Sequence, residues 1–138
     1  MSPPLRYGVI GTGMMGVEHI TNIGHLDDAV VTAVADPHGE SLDWAQLAVG
    51  LDQPLARFDS YHDLLASQLC DAVVIATPNH THVQVLADVL ATDLHVLVEK
   101  PLCTTVDDCL AVMAIHEERA TSVPDRCAAS ICASSARK

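Results

Sequence analysis

The chain is short of aromatic residues, of lysine and of net positive charge. Among its 138 residues are one tryptophan, two tyrosines and one phenylalanine. Any core must therefore be assembled from Val, Leu, Ile and Ala. Lysine occurs only at positions 100 and 138, and the formal net charge is −11. That balance argues against DNA, RNA or an anionic membrane as the main partner, because each is held by clusters of Lys and Arg. No apolar run approaches the ~20 residues of a membrane span. Residues 1–11 lack the apolar stretch of a secretory signal. The five cysteines, Cys70, Cys103, Cys109, Cys127 and Cys132, are odd in number and form no C-x-x-C pair. They read as free thiols in a reducing, cytoplasmic setting. His80 and His82 are the closest of the eight histidines. Two residues is poor ligand spacing on a helix and no cysteine joins them, so no metal site is expected.

What is present is a strongly patterned apolar sequence. Hydrophobic residues make up 49 % of the chain, which excludes global disorder. The length suits one domain. Short buried strands are predicted at Leu5 to Ile10, Ala29 to Ala35, Asp71 to Ala76 and His95 to Val98, with a weaker one at Arg57 to Asp59. Helices are predicted at Met14 to Leu26, Glu40 to Val49 and Tyr61 to Leu65. A further helix follows from Val83, Leu86, Ala87 and Leu90, which share one face. A last helix starts near Thr105, where Thr105 and Asp108 resemble a capping box. Its apolar stripe is predicted as Val106, Cys109, Leu110 and Met113. Strict alternation of strand and helix implies an α/β fold, a doubly wound parallel sheet covered on both faces. Ligands of such sheets bind beyond the carboxyl ends of the strands, where Gly11, Asp36, Thr77 and Glu99 fall.

Gly11-x-Gly13-x-x-Gly16 lies between the first strand and the first helix. Its glycines allow, in order, a tight turn, close approach of a pyrophosphate and close helix–strand packing. The helix N-terminus, including the backbone of Met14 and Met15, then offers bare N–H groups to phosphate. Asp36 follows Gly16 by twenty residues at the end of the second strand. A carboxylate there accepts hydrogen bonds from ribose hydroxyls and repels a 2′-phosphate, which favours NAD over NADP. The plain alternative is a tight turn with Asp36 as its cap.

Two further stretches stand at strand ends, ATPNHTHV (76–83) and VEKPLCTT (98–105). Together with GTGMMG they closely resemble the N-terminal domain of the Gfo/Idh/MocA oxidoreductases, over about residues 5 to 120. The resemblance implies a Rossmann domain binding NAD(P), and hydride transfer between the nicotinamide and a hydroxyl-bearing carbon of a sugar or cyclitol. It places Thr77, Pro78 and Asn79 along the cofactor groove and has His82 complete a T-P-N-x-x-H pattern. Glu99 and Lys100 match its E-K-P motif, with Pro101 shaping a turn that a cis bond can precede. Lys100 then reaches the reacting hydroxyl as the catalytic residue. A lysine near a cationic ring in a partly dry site has its pKa lowered, which suits proton transfer near neutral pH. The alternative is a solvated lysine paired with Glu99. Met14, Met15 and His19 otherwise read as loop and helix packing.

The pattern breaks after about Ala120. Residues 1–120 are read as the NAD-binding domain, and 121–138 as an irregular, disordered tail with the sheet's sixth strand lost, leaving five. On this reading the family's C-terminal substrate domain is expected to be missing. An out-of-frame ending of a longer gene is favoured over a genuine short protein. On this reading the chain has little or no turnover alone, and a sugar or cyclitol binds only with the missing domain. A non-catalytic nucleotide-binding module, forming a homo-oligomer or pairing with a full-length relative through its sheet edge, is the alternative. A non-functional relic is the third reading.

Overall fold

The computed structural model describes residues 2–122 and 129–132. The strands are β1 (Leu5–Ile10), β2 (Ala29–Ala35), β3 (Ala56–Phe58), β4 (Ala72–Ile75), β5 (His95–Glu99) and β6 (Ala129–Cys132). The helices are α1 (Met14–Ile23), α2 (Gly39–Val49), α3 (Tyr61–Ala66), α4 (His82–Leu90) and α5 (Val106–Ser122). One sheet runs in the order β3-β2-β1-β4-β5-β6, and every pairing is parallel.

The central parts of β1, β2, β4 and β5 are apolar because both faces are covered. Successive residues point to opposite faces. Val9, Val34 and Val74 pack with Ile20, Ile23, Leu42 and Ala45 of α1 and α2. Their neighbours Ile10, Ala33, Ala35, Val73 and Ile75 pack with Leu64, Val85, Leu86, Val89 and Val112 of α3, α4 and α5. Two helical layers thus sandwich the sheet, as the alternation of elements predicts.

Three details depart from the expectation. First, α1 stops at Ile23, before Leu26, with Gly24 as its cap; glycine is a poor helix former and ends the run. Second, a sixth strand is present: Ala129–Cys132 pairs in parallel with Val96–Glu99. The open edge of β5 supplies its pairing groups, and four residues are too few to show an alternation. The remainder of the expected irregular tail, at 123–128 and 133–138, lies outside the described residues. Third, α5 turns a different face inward. Val112 is buried, and Cys109 and Ile115 pack beside it. Arg119 is buried as well and donates from a guanidinium nitrogen to the Leu94 carbonyl at 2.6 Å. Of the predicted stripe only Cys109 faces the core, while Val106, Leu110 and Met113 are exposed. The capping box holds in part, since the Asp108 N–H donates to Thr105 Oγ1 at 3.1 Å.

Candidate cofactor site

The order of strands reverses between β1 and β4, and in such sheets a crevice opens at that point beyond the strand ends. Gly11 leaves β1 with φ +90°. A Cβ on it would lie 2.7 Å from the carbonyl carbon and oxygen of Ala76. The loop after β1 therefore rests directly on the chain leaving β4. Gly13 caps α1 with no side-chain cap, and no acidic residue stands in the helix's first turn. A Cβ on Gly13 would meet nothing within 4 Å. Open space thus lies beside uncapped N–H groups, the arrangement that binds phosphate. Met14 is 83 % exposed, and Met15 is half-buried.

Asp36 is buried at the end of β2. Its Oδ2 accepts the Thr12 N–H at 2.9 Å, and its Oδ1 accepts the His38 N–H at 2.8 Å. The His38 ring nitrogen Nδ1 stands 3.1 Å from the same Oδ1. The carboxylate thus braces the glycine loop and keeps accepting capacity on Oδ2. The Thr12 hydroxyl is buried beside it with no hydrogen-bond partner among the described residues. Such a polar atom calls for a ligand or water. The open space at Gly13, the bare helix end, Asp36 and Thr12 all fit a dinucleotide.

On the other side of the crevice, Thr77 is half-buried and Pro78 and Asn79 are exposed. Asn79–Thr81 forms a single 3-10 turn, in which Thr81 Oγ1 donates to Thr77 Oγ1 at 2.7 Å. His82 is completely buried. Its Nδ1 is 2.7 Å from the Pro101 carbonyl oxygen and its Nε2 is 3.0 Å from that of Thr77. With no exposed surface, the ring's part in the site is to join two loops. The Lys100–Pro101 bond is cis. Lys100 is exposed and makes no hydrogen bond or ion pair among the described residues. Glu99 does not pair with it. The Glu99 carboxylate is buried and meets His19 Nε2 of α1. Just past Pro101, burial and then the neighbouring Cys109 push the Cys103 thiol up to about 11, so it stays protonated near neutral pH.

The structure gathers Gly11, Gly13, Gly16, Asp36, Thr77, Pro78, Asn79, His82, Glu99 and Lys100 at one end of the sheet. Sequence reasoning passed over Thr12 and read His19 only as helix packing, without its partner Glu99. A signal for His19 was available: with Gly16, Ile20 and Ile23, all buried, it falls at i, i+3, i+4 and i+7, the inward stripe of α1. Among the described residues no group of three or more His, Cys, Asp or Glu could hold a metal ion. No helix among them is long and apolar enough to cross a membrane.

Strand order, glycine loop and acidic β2 terminus define a dinucleotide-binding Rossmann domain. The chain belongs to the Gfo/Idh/MocA family, described as an oxidoreductase family with an NAD-binding Rossmann fold, whose profile matches residues 5–123. It is 38 % identical over 118 residues to an inositol 2-dehydrogenase of Leifsonia xyli subsp. xyli, a match covering 84 % of this chain and 33 % of that protein. The chain therefore spans about a third of the length of that relative. The WlbA dehydrogenase of Bordetella pertussis, solved in complex with NADH and UDP-GlcNAcA, superposes with a TM-score of 0.75 at 32 % identity. That superposition covers 84 % of this chain and 35 % of the other. The apo scyllo-inositol dehydrogenase of Lactobacillus casei shares the fold at a TM-score of 0.82, with 24 % identity over 94 % of this chain and 36 % of that one.

Proposed function

We propose that this chain is the cofactor domain of an NAD-dependent oxidoreductase acting on a hydroxyl-bearing carbon of a sugar or cyclitol. The observation that carries the reading is Lys100, exposed and unpaired among the described residues, at the end of β5 next to β4, whose Ala76–Thr77 exit the glycine loop packs against. When bound, the nicotinamide supplies a hydride acceptor or donor. The N–H groups at Gly13, Met14, Met15 and Gly16 hold the pyrophosphate. Asp36 accepts from the ribose hydroxyls and disfavours a 2′-phosphate. Thr77, Pro78 and Asn79 line the groove. Lys100 takes the hydroxyl proton of an alcohol or returns it to a ketone. The relatives' names support a cyclitol or sugar as substrate. The surface that selects it belongs to the remaining two-thirds of such proteins, so the 138-residue chain is expected to bind cofactor and turn over polyols slowly or not at all. Its free thiols fit a reducing, cytoplasmic setting.

Calorimetric titration with NAD and NADP tests this reading. NAD should bind ahead of NADP, and Asp36→Ser should move the preference toward NADP by at least about tenfold, or ~1.4 kcal/mol. A folded protein that binds neither overturns the cofactor assignment. Brisk polyol oxidation by the chain alone overturns the division of labour.

A further inference from the structure

We propose that His19 and His82 are positioning residues for Lys100, gripping the residues on either side of it from the two other elements of the cofactor site. The proposal rests on the reading of Lys100 as the proton-handling group. Lys100 itself is exposed and makes no hydrogen bond or ion pair among the described residues. Its neighbours are held firmly. Glu99 is 6 % exposed and meets His19, whose helix begins at the glycine loop. The Pro101 carbonyl faces Nδ1 of His82, whose other ring nitrogen faces the carbonyl of Thr77 in the groove-lining turn. Each histidine thus spans from the Glu99–Pro101 turn to a different cofactor-binding segment. A buried carboxylate and a buried imidazole are costly unless partnered. Neither grip is explained by packing alone, because a leucine of similar size would fill either position more cheaply.

The two rings reach the residues flanking Lys100 through different nitrogens, and that separates positioning from bulk. His19 uses Nε2, which the amide nitrogen of glutamine replaces in reach and that of asparagine does not. His82 uses Nδ1 toward Pro101 and Nε2 toward Thr77; asparagine keeps the first reach, the one that touches the residue beside Lys100, and glutamine keeps only the second. The order of harm should therefore invert between the two sites.

Lys100 and Lys138 are the only lysines, so amine acylation read by peptide mass spectrometry reports Lys100 directly, with Lys138 as the internal reference. In wild type, NAD is expected to shield Lys100. His19→Asn and His82→Gln should change the labelling rate of Lys100 without NAD and abolish its shielding by NAD. His19→Gln and His82→Asn should keep the wild-type pattern. Circular dichroism establishes that each variant is folded, and if one pair does not fold the other pair decides. Folded His19→Asn and His82→Gln proteins with wild-type labelling and shielding overturn the proposal, and so does equal harm from both substitutions at each site. If wild type binds no NAD, the cofactor reading falls. Labelling without cofactor then decides the clamp: the inverted order supports it and an unchanged rate overturns it.

Discussion

Two glycines three residues apart make opposite demands. A Cβ on Gly16 would sit 1.9 Å from the Gly11 carbonyl oxygen, whereas a Cβ on Gly13 meets nothing. Gly16→Ala must push helix from strand, and thermal unfolding should show a loss of at least about 3 kcal/mol, the upper range for ordinary point substitutions. Gly13→Ala should cost under about 1 kcal/mol of stability, a helix-cap effect. Its methyl group occupies the space beside the bare N–H groups, so NAD affinity should fall at least about tenfold. Alanine at Gly13 with unchanged NAD affinity would place the pyrophosphate elsewhere. Tyr61 offers a test by titration. Burial, then its hydrogen bond to Asp88, raise its phenol to about 12. The folded value lies above the unfolded one, so this stabilisation is complete below about pH 10 and is lost as pH rises toward 12. Phenolate absorbance should show one late step that Tyr61→Phe removes, and that variant should lose stability less steeply in the same window.

Helix α5 shows where local pattern stops informing. Its sequence carries two overlapping apolar stripes, one through Val106, Leu110 and Met113 and one through Cys109, Val112 and Ile115. Periodicity scores both, and only packing against neighbouring elements decides between them. Val112→Ala should cost about 1.5–3 kcal/mol by chemical denaturation, from lost burial and the cavity left behind. Leu110→Ala should stay within about 0.5 kcal/mol. A reversed order would mean that α5 sits the other way round. The buried strands were legible because parallel strands covered on both faces read as unbroken Val, Ile and Ala runs. The glycine loop, Asp36 and the Glu99–Pro101 turn were legible because each is a short contiguous pattern at a strand end. The partnership of His19 with Glu99 was not, because the two are 80 residues apart in sequence. β6 was missed because its pairing rests on backbone groups that any side chains can accompany.

Across the whole molecule the dominant electrostatic fact is the charge of −11. An anionic cofactor must be drawn in against that field by local dipoles, and the fold itself carries self-repulsion. Raising sodium chloride from about 10 mM to about 150 mM shortens the screening length from about 30 Å to about 8 Å. The melting temperature should rise accordingly in scanning calorimetry, and a fall would show that attractive pairs such as Arg6–Asp71 outweigh the repulsion. The strand order has a consequence for biosynthesis. β1 lies between β2 and β4, and Gly11 closes on the backbone of Ala76 and Thr77. A ribosome therefore releases the glycine loop first, yet the loop has nothing to close against until the chain past Thr77 has emerged. The lysine turn must wait until residue 101 is free to meet His82. The nucleotide crevice is among the first stretches of this domain to be translated and among the last to be completed.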